Sequence, residues 1–352
     1  MNKKAILYDD IVTPENLFAA WNTFRKGKKG RCDVQMFDRH LEDNIFALHK
    51  ALKNQTYQHA PYKAFYVNDP KQRHIHKAGV KDRVVHQTLY SALYPIFDPT
   101  FIYDSYSCRL GKGTHKAVAR LQMFLRKESR NYTRNCWVLK CDIKKFFATV
   151  DKDILLTLIK RKVEDDRVIW LIKSVLESFS QGLPLGNLTS QLFANVYLNE
   201  LDQFVKHELK VKYYIRYCDD FILVHQDKKL LDSLQQKIAI FLSKKLYLKL
   251  HPRKIIYRKF SWGIDFLGYI VLPHYILPRT KTRQRVFEKL ATKVNQLKNN
   301  TLTLDSFNQS LQSYLGYLKH ARNYKIITRL KNYIYLSGVN KTYSFEQQLY
   351  NG

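Results

Sequence analysis

Acidic residues are the scarce charge in this 352-residue chain: 30 Asp and Glu stand against 60 Lys and Arg, a formal charge of +30. That deficit disfavours a neutral or cationic partner and favours a polyanion, either nucleic acid or an acidic membrane surface. Cysteine is also sparse. The five thiols (Cys32, Cys108, Cys136, Cys141, Cys218) are scattered and never spaced Cys-x-x-Cys, which argues against a disulfide framework or a zinc knuckle and predicts a reducing, cytoplasmic setting. Gly (12) and Pro (9) are few and no repeat occurs, so long flexible linkers are not expected. No apolar run nears the ~20 residues that span a bilayer, so no membrane protein is expected. Lys3 and Lys4 resemble the start of a signal peptide, but Asp9 and Asp10 interrupt the apolar segment, and no secretory signal is expected.

What is present suits a folded protein that handles nucleic acid. Apolar residues make up 45% of the chain, enough for a core. Aromatics reach 14%, with 24 Tyr and 20 Phe. Interleaved with cations they suit base stacking beside phosphate contacts, although a Tyr-rich core explains the aromatics equally well and leaves only the charge unexplained. From Phe241 onward there are 20 Lys and Arg against four acids, so the C-terminal third is expected to be the main backbone-gripping surface. The basic loop Lys26-Gly27-Lys28-Lys29-Gly30 lacks the phosphate-loop pattern and reads as a solvated loop.

Periodicity and turn chemistry outline the elements. Helices are predicted from Pro14 to Leu52 around that basic loop, then a hairpin across Phe65–Ile75 through Asn68-Asp69-Pro70-Lys71. Helical spacing returns at Val84–Leu93 and Lys116–Leu125. Val138–Asp142 reads as a buried strand ending in a carboxylate, followed by helices at Asp151–Val163 and Arg167–Phe179. A loop from Gln181 to Asn187 leads into a long helix near Thr189–Leu209 with a core stripe of Leu192, Phe193, Val196, Leu201, Phe204 and Val205. Tyr213–Tyr217 and Phe221–His225 form a hairpin closed at Cys218-Asp219-Asp220, and Lys228–Lys245 is helical. Two or three strands across Ile255–Val271 and a basic helical stretch over Arg283–Tyr335 complete an α+β fold.

Three Asp-Asp pairs occur: Asp9-Asp10, Asp165-Asp166 and Asp219-Asp220. Asp165-Asp166 precedes a helix and is explained as an N-cap. Asp219-Asp220 differs because apolar strands flank it on both sides, and adjacent acids in a buried turn repel unless a cation neutralises them. Asp142 ends another buried strand. Carboxylates on neighbouring strand ends can hold two Mg²⁺ ions for phosphoryl transfer. Structural turns remain the competing explanation of the same spacing.

These residues resemble a known family. Tyr217-Cys218-Asp219-Asp220 is similar to the Tyr-x-Asp-Asp box of reverse transcriptases, and Asp142-Ile143-Lys144-Lys145-Phe146-Phe147 to their first catalytic box. Arg109-Leu110-Gly111-Lys112-Gly113-Thr114-His115, after Asp104-Ser105-Tyr106, resembles a fingers motif, and Gly263-Ile264-Asp265-Phe266-Leu267-Gly268-Tyr269 the primer grip. Four motifs in order make a specific signal. The stretch Gln181-Gly182-Leu183-Pro184-Leu185-Gly186-Asn187-Leu188-Thr189-Ser190-Gln191, with Leu185 where relatives resembling group II intron enzymes carry Gln and Gln191 where they carry Pro, is similar to the diversity-generating retroelement subgroup.

The resemblance implies a right-hand polymerase: an N-terminal helical extension (1–60), fingers (61–135), a palm with a small antiparallel sheet (136–280, helices about 151–180 partly fingers) and a basic helical thumb (281–352). Little chain follows the expected thumb for a maturase or endonuclease domain. It implies Asp142, Asp219 and Asp220 as catalytic acids holding two Mg²⁺, replaceable by Mn²⁺, with the Ile143 carbonyl as a further ligand. Phe147 matches the steric gate that rejects a ribonucleotide 2′-hydroxyl. Lys71 and Arg73, on one strand face, match residues clasping the incoming triphosphate, and Lys254 a proton donor to pyrophosphate. Leu185 and Gln191 flank the nucleotide. Expected partners are template RNA, the RNA–cDNA duplex, dNTPs and a basic accessory variability determinant protein, with errors concentrated at template adenines. His74, His76 and His86 are read as parts of fingers elements rather than ligands. The competing readings are another bacterial reverse transcriptase, in phage defence or an intron, and an RNA-binding protein or maturase with a vestigial polymerase site.

Overall fold

A computed structural model describes residues 7–68, 71–322 and 324–337; Lys3, Lys4, Asp69, Pro70 and the end of the basic C-terminal stretch lie outside the described residues. The described strands are β1 (Lys63–Val67), β2 (Arg73–Lys77), β3 (Trp137–Asp142), β4 (Tyr214–Tyr217), β5 (Asp220–His225), β6 (Ile256–Lys259), β7 (Ile264–Phe266), β8 (Tyr269–Val271) and β9 (Ile276–Pro278). They form a β1-β2 hairpin, a four-stranded sheet in the order β4-β5-β3-β6 and a three-stranded sheet β7-β8-β9. With the helices around them the fold is α+β with small antiparallel sheets.

The chain forms two compact units. The first comprises residues 1–113, 139–223 and 228–256. Its N-terminal helices Pro14–Arg25, Cys32–Arg39 and Leu41–Lys53 sit either side of the basic loop. Thr13 caps the first of them, its side chain accepting from the Asn16 N–H with Pro14 in the first turn. Asp151 and Asp165 cap Lys152–Lys160 and Asp166–Glu177 in the same way, so Asp165-Asp166 is a cap as its position predicts. Tyr8 N–H donates to Asp165 and Arg167 pairs with Asp9 through two bonds of 3.0 and 2.9 Å, which uses the first Asp-Asp pair structurally too. The central helix Leu188–Gln203 is buried along Leu192, Phe193, Val196 and Leu201. It stops short of the predicted Leu209, because Phe204–Glu208 widens into a π-helical turn. There Phe204 is only half-buried and stacks on Phe241 at 4.1 Å.

The second unit comprises residues 114–138, 224–227 and 257–352. Its helices Thr280–Lys298, Leu304–Lys319 and Tyr324–Leu336 bury an apolar stripe each: Val286, Leu290 and Val294, then Phe307, Leu311 and Leu318, then Leu330 and Ile334. Leu267 and Gly268 join β7 to β8 with φ of 50° and 91°, the two left-handed residues of a tight hairpin turn. The Gly268 carbonyl accepts from the Tyr317 hydroxyl at 2.6 Å. Strand β9 was not foreseen; three residues ending in proline are too few for a period to register.

Candidate active site

The apolar flanks of Asp219-Asp220 fold as expected into β4 and β5. Tyr217 pairs with Asp220, so Cys218 and Asp219 alone make the turn, and Cys218 takes a left-handed φ of 55°. Strand β3 delivers Asp142 beside it through buried Val138, Leu139 and Cys141. The Ile143 N–H donates to the Asp219 carbonyl at 3.3 Å, tying the end of β3 to the turn. On the other side the segment before Lys254 is bound to the same strand end: His251 N–H donates to the Asp142 carbonyl at 2.8 Å and Lys144 N–H to the Lys249 carbonyl at 2.8 Å. Lys254 Nζ thereby reaches Asp142 Oδ2 at 2.7 Å.

The electrostatics follow from this crowding. Burial first, then the charge of Asp142 and less strongly that of Asp220, push the Asp219 carboxyl up to about 6 against the lowering by a backbone hydrogen bond and by Cys218. Burial also raises Asp220, with Asp142 adding to the effect and Lys140, Lys254 and Lys71 opposing it. Lys71 thus acts on the site electrostatically. Among the described residues no three His, Cys, Asp or Glu side chains close into a preformed cage. The acids share a field, and one Asp142 oxygen is held by Lys254. Hard oxygen donors crowded at one strand end, with the Asp219 and Asp220 carboxyls raised, nevertheless fit a divalent cation such as Mg²⁺.

Phe147 is half-buried beside fully packed Phe146, their rings 5.3 Å apart. The Gln181–Asn187 loop holds it from behind: Leu183 N–H donates to the Phe147 carbonyl at 2.7 Å. Gly182 permits that approach, with φ of 66° and a site where an added Cβ would stand 2.2 Å from the Phe147 oxygen. The same loop clamps β2. His76 N–H donates to the Leu185 carbonyl at 3.0 Å, and the Asn187 amide donates to the His76 carbonyl at 3.1 Å. Leu185 therefore contributes its backbone to the hairpin that carries Arg73. Arg73 is exposed opposite Val67 at the start of β2. Lys71 does not share its strand face as predicted, since the ladder ends at the Val67–Arg73 pair and leaves Lys71 in the connection. Gln191 is exposed on the central helix and lines a cavity with Arg31, Lys77, Arg83 and Asn187. His74 stacks on Tyr66 at 4.5 Å, His76 meets Phe179 edge-on at 4.6 Å, and His86 bridges His59 and Thr189 at 3.2 and 2.7 Å.

Sequence reasoning missed what lies beneath the turn. Arg216 and Asp202 are both fully buried and joined at 2.6 Å. The signal was available: Arg216 shares its strand face with buried Tyr214, and Asp202 directly follows Leu201 of the predicted core stripe.

Residues 67–271 match the family described as reverse transcriptase (RNA-dependent DNA polymerase). The chain is 24% identical over 279 residues to the Escherichia coli K12 protein YkfC, covering 66% of this chain and 72% of that protein. It is 24% identical over 342 residues to the group II intron-encoded protein LtrA of Lactococcus lactis, covering 75% of this chain but only 56% of the relative. In fold it is similar to telomerase from Candida albicans, solved with a fragment of telomeric RNA, at a TM-score of 0.52 and 12% identity over 83% of this chain and 58% of that one. Strand order, turn geometry and this match over more than half the sequence lead to one conclusion: the chain belongs to the reverse transcriptase family.

Proposed function

We propose that this protein copies template RNA into cDNA, and that it does so with low fidelity as the polymerase of a diversity-generating retroelement. The observation that carries the polymerase reading is the turn that sets Asp219 and Asp220 beside the strand end bearing Asp142. Asp142 and Asp219, supported by Asp220 and the Ile143 carbonyl, would hold two Mg²⁺ or Mn²⁺ ions. When bound, such ions activate the primer 3′-hydroxyl and stabilise the departing pyrophosphate.

The chain's own residues do the rest. Lys71 and Arg73 bind the triphosphate and orient its α-phosphorus toward the primer. The new bond forms from the primer oxygen to that phosphorus as its hydroxyl proton passes to water and the bond to the β-phosphate oxygen breaks, and Lys254 donates a proton to the leaving pyrophosphate. The ring of Phe147, braced by Gly182 and Leu183, excludes a ribonucleotide by its bulk. In the corresponding architecture residues 1–60 are an N-terminal extension, 61–135 fingers, 136–280 palm and 281–352 thumb. The basic helices of the last segment grip the RNA–cDNA duplex through phosphate, so affinity falls steeply with salt. No helix among the described residues is long and apolar enough to cross a membrane.

The retroelement assignment, with adenine-directed errors and a basic accessory variability determinant protein as partner, rests on Leu185 and Gln191. Leu185 presents a hydrocarbon where an amide would add a hydrogen bond near the nucleotide. The similarity to LtrA favours a second reading, an intron-like enzyme.

The test is dNTP incorporation on a primed RNA template with Mg²⁺, alongside Asp219→Ala, with the cDNA sequenced. Extension lost at least about 10³-fold in the variant, with errors clustered opposite adenine, is the expected result. Faithful extension retains the polymerase and removes the retroelement assignment. RNA binding unaffected by Asp219→Ala, with no extension by either protein, establishes a vestigial site instead.

A further inference from the structure

A buried arginine normally signals a structural ion pair. Arg216 differs in where its last hydrogen bond goes. The guanidinium has five N–H donors and each has an acceptor. Nε donates to Asp202 Oδ1 at 2.7 Å and Nη2 to Asp202 Oδ2 at 2.6 Å, a two-pronged pair. Nη1 donates to Asn195 Oδ1 at 3.2 Å and Nη2 to Ser105 Oγ at 3.1 Å. The remaining Nη1 proton goes to the Cys218 carbonyl at 3.1 Å, the peptide oxygen immediately before Asp219.

The supports are themselves fixed. Asp202 also accepts from the Tyr214 hydroxyl at 2.8 Å, and Asn195 donates to the Ser107 carbonyl at 2.8 Å. The Arg216 backbone is held on both sides, its N–H donating to the Asp104 carbonyl and its carbonyl accepting from Tyr106, each at 3.0 Å. Four bonds thus lock the guanidinium plane to the central helix and to the Asp104–Tyr106 segment, and the fifth transmits that rigidity to the turn. Cys218 there has a left-handed φ of 55°, which a residue with a Cβ adopts at some cost, so an external contact that fixes its carbonyl selects one turn geometry over its alternatives.

We propose that Arg216, pinned by Asp202, is a positioning residue for nucleotidyl transfer: it orients the Cys218–Asp219 peptide and thereby sets where the Asp219 carboxylate stands. The inference rests on the polymerase reading and deepens it. A purely structural pair can be exchanged for apolar side chains of similar volume with little loss of stability. A positioning arginine cannot be exchanged in that way without loss of catalysis, because Met and Leu pack the space yet leave the Cys218 carbonyl without its donor.

The experiment compares wild type, Arg216→Met/Asp202→Leu, Arg216→Lys and Asp219→Ala on a primed RNA template. It measures Tm, KM for dNTP, kcat and the Mg²⁺ concentration for half-maximal rate. The double variant is expected to melt within a few degrees of wild type and to keep KM within about threefold, while kcat falls about 10–100-fold and the Mg²⁺ requirement rises several-fold. Arg216→Lys, which keeps the charge but loses the planar fork, is expected to show the same split with at least a tenfold fall in kcat. It carries the test alone if the double variant fails to fold. A folded variant with wild-type kcat and Mg²⁺ dependence overturns the inference and leaves the pair structural. Absence of extension by wild type itself overturns the underlying polymerase reading, a result distinct from the other.

Discussion

Two carboxylates in the same unit, Asp202 and Asp219, have left bulk water on different terms. Asp202 is fully buried, yet both of its oxygens are met by Arg216 and one also by the Tyr214 hydroxyl. Asp219, on the turn above, faces Asp142 and Asp220, and its carboxyl is pushed up to about 6 by burial and by those neighbours. One acid receives its counter-charge from within the fold. The other is crowded by like charges, with Lys254 paired directly to Asp142 and reaching Asp220 only through its field. Where the chain encloses an acid with its own cation, it builds scaffold. Where it packs acids against one another at a strand end, the proposed function makes that crowding a place for a cation brought from outside.

That contrast can be broken most forcefully from below. Asp202→Asn strands the Arg216 charge in the core, and chemical denaturation is expected to register a loss of about 3–5 kcal/mol. A loss under about 1 kcal/mol would mean that Arg216 finds other compensation. Next in size is Gly182→Ala, which affects the front of the site through shape rather than charge. Its Cβ would collide with the Phe147 carbonyl at a φ of 66°. The expected cost is about 1–3 kcal/mol in stability, with a several-fold loss of discrimination between dNTP and rNTP in the ratio of their kcat/KM values. The smallest effect is expected for Leu185→Gln. Restoring an amide beside the nucleotide adds about 1 kcal/mol of discrimination, read as several-fold fewer errors opposite template adenine in sequenced cDNA. Unchanged error rates would detach Leu185 from fidelity.

Much of this arrangement was legible in the sequence because apolar runs flank its acids. Val138–Cys141 before Asp142, and the strands on either side of Asp219-Asp220, predicted buried strand ends carrying carboxylates, and the chain folds so. The cap at Asp165 and the longer helices of both units followed from turn chemistry and periodicity, whereas the one-turn helices Tyr8–Ile11 and Phe146–Thr149 are too short to register a period. The Arg216–Asp202 pair was harder to see, because each residue alone looks like a solvated charge in a basic protein; the core neighbours Tyr214 and Leu201 hint at burial, and the structure shows the partnership. Lys71 sits in the turn by one sequence reading and on Arg73's strand face by the other, and the Val67–Arg73 pair that ends the ladder decides for the turn. The role of Gly182 was equally hidden, since a glycine in a loop does not announce which carbonyl will press against it.

The most direct measurement is thermal unfolding of wild type and Asp219→Asn near pH 7, each with and without Mg²⁺. Asp219 has a folded pKa raised above its unfolded value of 3.8, so its charge destabilises the metal-free protein increasingly as pH rises through about 3.8 to 6 and fully above that range. Removing the charge is therefore predicted to raise the Tm of the metal-free protein. Mg²⁺ is predicted to raise the Tm of wild type and to have little effect on the variant. A variant that melts lower than wild type without metal, or one that responds to Mg²⁺ as wild type does, would contradict the account.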